Sequence, residues 1–148
     1  MGWFFEDFDP QAAPVVTPEQ VISETDVMAF AALSGDNNPL HTDATYAQRS
    51  PLGQRVAHGL LVLSVATGLS AKAGQLQGTA LAFLGMEDWR FLAPVFFGDR
   101  IHLRWSVTEK RLTSNGQAGV VKRHMEILNQ RDEVVQSGLF ATLVRTRA

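Results

Sequence analysis

Asp36 and His41 stand five positions apart in the stretch Ser34-Gly35-Asp36-Asn37-Asn38-Pro39-Leu40-His41-Thr42-Asp43. A carboxylate and an imidazole aimed at one small volume are the minimum kit for moving a proton to or from a bound water. The stretch cannot be helical throughout. Gly35 suits a helix stop in the left-handed conformation, and Pro39 pushes Asn38 out of the α region. Thr42 or Asp43 can cap a new helix through 44–48. Asp36 and His41 therefore fall on a short, constrained loop between two helices. The plain alternative is a turn and nothing more, because Asp and Asn side chains bond their own backbone.

A second chemical element is Gly59, which opens a long apolar run over 58–73. The first N–H groups of a helix have no internal partner. A glycine there lets a ligand approach the backbone at the positive end of the dipole, a place to hold a developing oxyanion. Tight packing against a sheet would ask for the same glycine. His58 reads as a helix-start residue with its ring partly buried. Thr67 lies about two turns into the helix. Its hydroxyl could orient Asp36 from behind, or simply bond its own upstream carbonyl. His41, Asp43 and His58 offer nitrogen and oxygen ligands, but neither His-Glu-x-x-His nor Cys-x-x-Cys spacing occurs, so no metal is expected.

These groups need elements to position them. Ser23-Glu24-Thr25-Asp26 is a helix start with Asp26 at the capping-box position. Val27, Phe30, Ala31 and Ser34 then recur at helical spacing up to Gly35. The run over 58–73 has Lys72 as its only charged residue, in the last turn. A helix apolar on nearly every face is a buried helix. The second half supplies a sheet to bury it. An extended segment covers 79–91, with a turn over 94–99. Ile101 to Val107 alternates apolar and polar at the period of a half-buried strand. Turns at 113–116 and 130–133 separate it from strands over 119–128 and 134–144. The strand over 119–128 sets Val121, Arg123, Met125 and Ile127 against Val120, Lys122, His124 and Glu126. The aromatic opening over 3–8 reads as a short strand or an arm, and 13–17 as an edge strand. Consecutive strands with tight turns give an antiparallel sheet, here curled around one long central helix. Its free edges favour a homodimer.

The chain has 148 residues, 45% of them hydrophobic and 19% charged, with a net charge of −2. That is one α+β domain, read from 1 to 148. No basic stripe suggests nucleic acid, and no polybasic cluster suggests an anionic membrane. With no cysteine in the sequence, thiol nucleophiles, disulfides and thiolate metal sites are excluded. The N-terminus lacks the pattern of a signal peptide, and no apolar run approaches the ~20 residues of a membrane span. A cytoplasmic location is expected.

The segments 30–41, 57–61 and 91–99 together resemble the MaoC-like dehydratase family, whose best-known members are R-specific enoyl-CoA hydratases. The block Gly35-Asp36-Asn37-Asn38-Pro39-Leu40-His41 carries most of the resemblance. It implies the hot-dog fold, a curled sheet around a helix, usually dimeric. It implies that Asp36 and His41 form the hydratase dyad, with Asn38 supporting the loop and the Gly59 N–H polarising a thioester carbonyl. Thr67 stands where the family often has a serine supporting the Asp. The substrate would be an enoyl group carried on coenzyme A or an acyl carrier protein, with no redox cofactor or metal. Two other readings stand beside it. A hot-dog thioesterase usually puts a carboxylate on or beside the central helix, and 58–73 has no Asp or Glu. A non-catalytic acyl-binding subunit of a dehydratase complex is the other.

Overall fold

The core forms where three of the long strands in the second half of the chain turn alternate residues to one side. In the computed structural model, which describes residues 1–147, β3 (Ala80–Phe91), β4 (Arg100–Leu112), β5 (Ala118–Leu128) and β6 (Val134–Arg145) form an antiparallel sheet. Two short strands, β1 (Val15–Val16) and β2 (Gln20–Val21), pair with β4, and the main strand order is β1-β4-β5-β6-β3. Alternate residues of β4, β5 and β6 point to the core, among them Ile101, Leu103, Trp105, Met125, Ile127 and Phe140. The helix α4 (Gly59–Lys72) packs there through Leu61, Val62, Leu63, Ala66 and Leu69. This is the hot-dog fold, an antiparallel sheet with a central helix. Among the described residues, no helix is long and apolar enough to cross a membrane.

The first half wraps the open end of this core. In α1 (Glu24–Ser34) the Ser23 hydroxyl accepts the Asp26 N–H while the Asp26 carboxylate accepts the Ser23 N–H, a complete capping box. Gly35 ends α1 with φ of 79°, a conformation a side chain disfavours. The opening is not a strand. Phe5–Asp7 forms a 3-10 turn, and Trp3 and Phe8 meet edge to face at 5.3 Å. Trp3 also meets Trp105 at 6.0 Å, so the arm closes one end of the core.

Two expectations about length and burial change. β4 runs to Leu112, well past Val107, because its exposed polar end keeps pairing with β5 after a register shift at Val107–Glu109. The polar run 108–111 hid that continuation. More consequentially, α4 is not buried all round. Leu60, Ser64, Thr67 and Ala71 lie on one exposed flank, at spacings that share a helix face. Beside it, β3 is an unpaired edge with Leu81, Phe83, Leu84 and Met86 each more than 40% exposed. An apolar surface of this kind is the sort that marks an interface.

Candidate active site

The loop after α1 is built from its own side chains. Gly35 turns the chain, and the Ser34 hydroxyl accepts the Asp36 N–H at 3.1 Å. The Asp36 carboxylate accepts the Asn38 N–H at 3.2 Å, and the Asn38 side chain accepts the Leu40 N–H at 3.0 Å. Pro39 then begins a single helical turn, α2 (Pro39–Thr42), inside what sequence alone describes as loop. Asp43 caps α3 (Ala44–Gln48) by accepting the Tyr46 N–H. Asn38 thus supports the loop as a cap, and its backbone N–H holds one carboxylate oxygen of Asp36.

Two imidazoles fix the loop against the head of α4. His41 Nδ1 lies 2.7 Å from the Val56 carbonyl oxygen. A carbonyl only accepts, so Nδ1 carries the hydrogen and Nε2 is the nitrogen free for proton transfer. His58 Nε2 lies 2.9 Å from the Asp36 carbonyl oxygen and donates to it by the same logic. The two rings stack at 3.8 Å, and Phe30 packs edge-on to His58 at 4.9 Å. His58 is only 3% exposed, more deeply buried than expected, whereas Asp36 is exposed and His41 half-buried. One ligating atom from each of Asp36, His41 and His58 lies within 4.8 Å of the others. Such a cluster could in principle hold a cation. Its geometry equally suits a shared water, with one nitrogen of each ring already committed to a backbone carbonyl.

Gly59 is the first residue of α4, and its N–H has no acceptor among the described residues. A cavity of about 400 Å³ opens at this point, lined in part by Val56, Gly59, Phe91, Pro94 and Gln136. Phe91 crowds the glycine: a Cβ there would sit 2.7 Å from Phe91 Cδ1. Sequence reasoning missed Gln136. It is 2% exposed, donates to the Gly59 carbonyl at 2.9 Å and accepts the Trp89 indole N–H at 3.0 Å. It pins the Gly59 peptide from 77 positions away, a distance over which no local pattern signals a pairing.

Thr67 bonds within its own helix. Its hydroxyl donates to the Ser64 carbonyl at 2.6 Å and makes no bond to Asp36 within the chain. The helix places Thr67 about 12 Å along its axis from Gly59, and the carbonyl one turn back is the nearer acceptor.

With this geometry in hand, the chain can be set beside known proteins. The family model for the MaoC like domain matches residues 7–127. Protein MaoC of Klebsiella aerogenes is 40% identical over 114 residues, which cover 77% of this chain and 32% of that protein. The (R)-specific enoyl-CoA hydratase of Aeromonas caviae is 40% identical over 86 residues, 58% of this chain and 62% of its own. The solved R-hydratase PhaJ1 of Pseudomonas aeruginosa superposes with a TM-score of 0.81 at 28% identity, covering 99% of this chain and 88% of that one. This chain spans between 32% and 64% of the length of the first curated relatives it matches.

Proposed function

Because this chain belongs to the MaoC-like domain family, we propose that it is a hydro-lyase interconverting trans-2-enoyl and (R)-3-hydroxyacyl thioesters, with coenzyme A as the carrier. The observation that carries the reading is the cluster of Asp36, His41 and His58, whose ligating atoms lie within 4.8 Å of one another, held against the head of α4 by the His58 bond to the Asp36 carbonyl. The R-specific relatives support the configuration. Asp36 and His41 hold a water between them. Its oxygen goes to the β-carbon and a proton goes to the α-carbon. One of the two groups takes the water's proton and the other supplies the proton to the α-carbon. As the enolate forms, charge collects on the thioester oxygen, and the Gly59 N–H at the positive end of α4 donates a hydrogen bond to it. Gln136 fixes Gly59 through its carbonyl, and Asn38 keeps Asp36 in place.

Gly59→Ala tests the oxyanion role. The new methyl forces Phe91 aside and narrows the approach to the N–H, so kcat/KM falls about 10²-fold, the low end of what losing one oxyanion donor costs. Adding Phe91→Ala removes the clash and restores part of the loss. If the double variant is as poor as Gly59→Ala alone, the crowding explanation fails.

The same reading makes the protein a homodimer. The unpaired β3 edge and the open flank of α4 support it, since pairing two β3 edges about a two-fold axis would satisfy the edge and cover the apolar face. Sedimentation at micromolar concentration is expected to give twice the chain mass, and a clean monomer contradicts it. A partner subunit of a different chain is the competing arrangement. Co-purification of a second polypeptide in equal amount supports that one instead.

A further inference from the structure

Arg123 on β5 is 3% exposed and faces the core from the inward side of the sheet. Its guanidinium lies over the Trp105 ring at 4.8 Å, and Nη1 donates to the Ser70 hydroxyl at 3.3 Å. Nε is buried without an acceptor, and no carboxylate pairs with the group among the described residues. Burial lowers its pKa to about 10, which leaves it charged at neutral pH. A buried cation without a counter-charge is costly, and an apolar side chain of similar size would remove the cost. Something else has to account for an arginine at this position.

Arg123 lines a cavity of about 490 Å³ on the exposed flank shared by α4 and β3. Thr67, Ser70 and Thr142 add hydroxyls, and Leu76, Phe83 and Phe140 supply apolar wall. Thr142 lies on β6, where its neighbour Val121 is two residues from Arg123. Its hydroxyl is also buried without a partner. Arg123 and Thr142, each carrying a buried polar atom without a partner, thus stand on adjacent strands in the wall of one mostly apolar cavity. Such a lining suits a ligand that is apolar along its length and anionic at its end.

We propose that this cavity receives the far end of the acyl group and that Arg123 selects substrates ending in a carboxylate. The proposal rests on the hydratase reading above and narrows its substrate class to ω-carboxy-2-enoyl thioesters. Arg123 is a specificity residue and takes no part in the proton transfers. Gly59 and Ser70 are about 16 Å apart along α4, so a chain served within one subunit is long. Antiparallel pairing of β3 edges in the proposed dimer sets the partner's cavity at the Gly59 end, and a short diacid then suffices. The length at which selectivity peaks reports which cavity is used.

The test compares trans-2-enoyl-CoAs of increasing length, each made with a methyl end and with a carboxylate end. It measures kcat/KM for turnover and Kd by calorimetry. Wild type is expected to favour the carboxylate end by about 10²–10³-fold at one length, the order of loss when one partner of a buried, hydrogen-bonded charge pair is removed. In Arg123→Met that ratio collapses, Arg123→Lys keeps part of it, and the melting temperature of Arg123→Met is equal or higher. A wild-type ratio near one at every length, or an unchanged ratio in Arg123→Met, overturns the proposal while leaving hydration intact. If no conjugation is lost from any substrate, yet the carboxylate-ended CoAs bind and Arg123→Met abolishes that binding, hydration is overturned and the cavity assignment stands. Absence of both turnover and binding overturns both.

Discussion

Asp36→Asn and His41→Asn each lose about 10²–10⁴-fold in the hydration of a trans-2-enoyl-CoA, the usual cost of removing a general acid or base. The substitutions are chosen to keep the loop. Asn at 36 retains an oxygen that accepts the Asn38 N–H, and the exposed position makes the change nearly neutral for stability, within about 0.5 kcal/mol. Asn at 41 retains a nitrogen near the place of Nδ1, able to donate to the Val56 carbonyl, while removing the distal nitrogen. Loss of activity with an unchanged melting curve therefore reports chemistry. Because the two groups act as a unit, the double variant is expected to be little worse than either single one. Additive losses would mean that the two side chains serve separate steps.

The second large effect is at His58, and it is mainly structural. His58→Ala removes a buried ring that stacks on His41, packs against Phe30 and donates to the Asp36 carbonyl. By analogy with other large-to-small core changes, the loss is about 2–4 kcal/mol. Activity falls with it, because the tether between α4 and the loop is gone. His58→Gln separates this role from a direct one. Its amide nitrogen can replace Nε2 as the donor to Asp36, so activity within about tenfold of wild type is expected, against the far larger loss at His41. A collapse of kcat in a stably folded His58→Gln would move His58 into the proton-transfer pair. Denaturant titration beside the enoyl assay decides it.

The loop was legible because its determinants are local. Gly35, Pro39 and Asp43 act on their immediate neighbours, and each does in the structure what its backbone chemistry requires. The alternation over 119–128 likewise set Arg123 among the inward residues of β5. Local pattern ran out where the outcome depends on distance in space. The Thr67 hydroxyl has an acceptor one turn away in its own helix, and that bond prevailed over a long-range contact to Asp36. The tie from Gln136 to Gly59 links β6 to the head of α4, and no sequence pattern records it. An apolar helix face also reads the same whether it meets its own sheet or a second chain. For that reason the sequence alone presents the open flank of α4 at Leu60 and Thr67 as core.

The chemistry of this site is tested most directly by following two products at once from a series of trans-2-enoyl-CoAs, among them crotonyl-CoA. One is loss of enoyl conjugation, with chiral analysis of the 3-hydroxyacyl-CoA formed; the other is release of free thiol. A water-activating pair beside the Gly59 N–H predicts that conjugation disappears, that the product has the R configuration, and that the thioester survives. Free thiol released with conjugation intact would contradict it and identify a thioesterase.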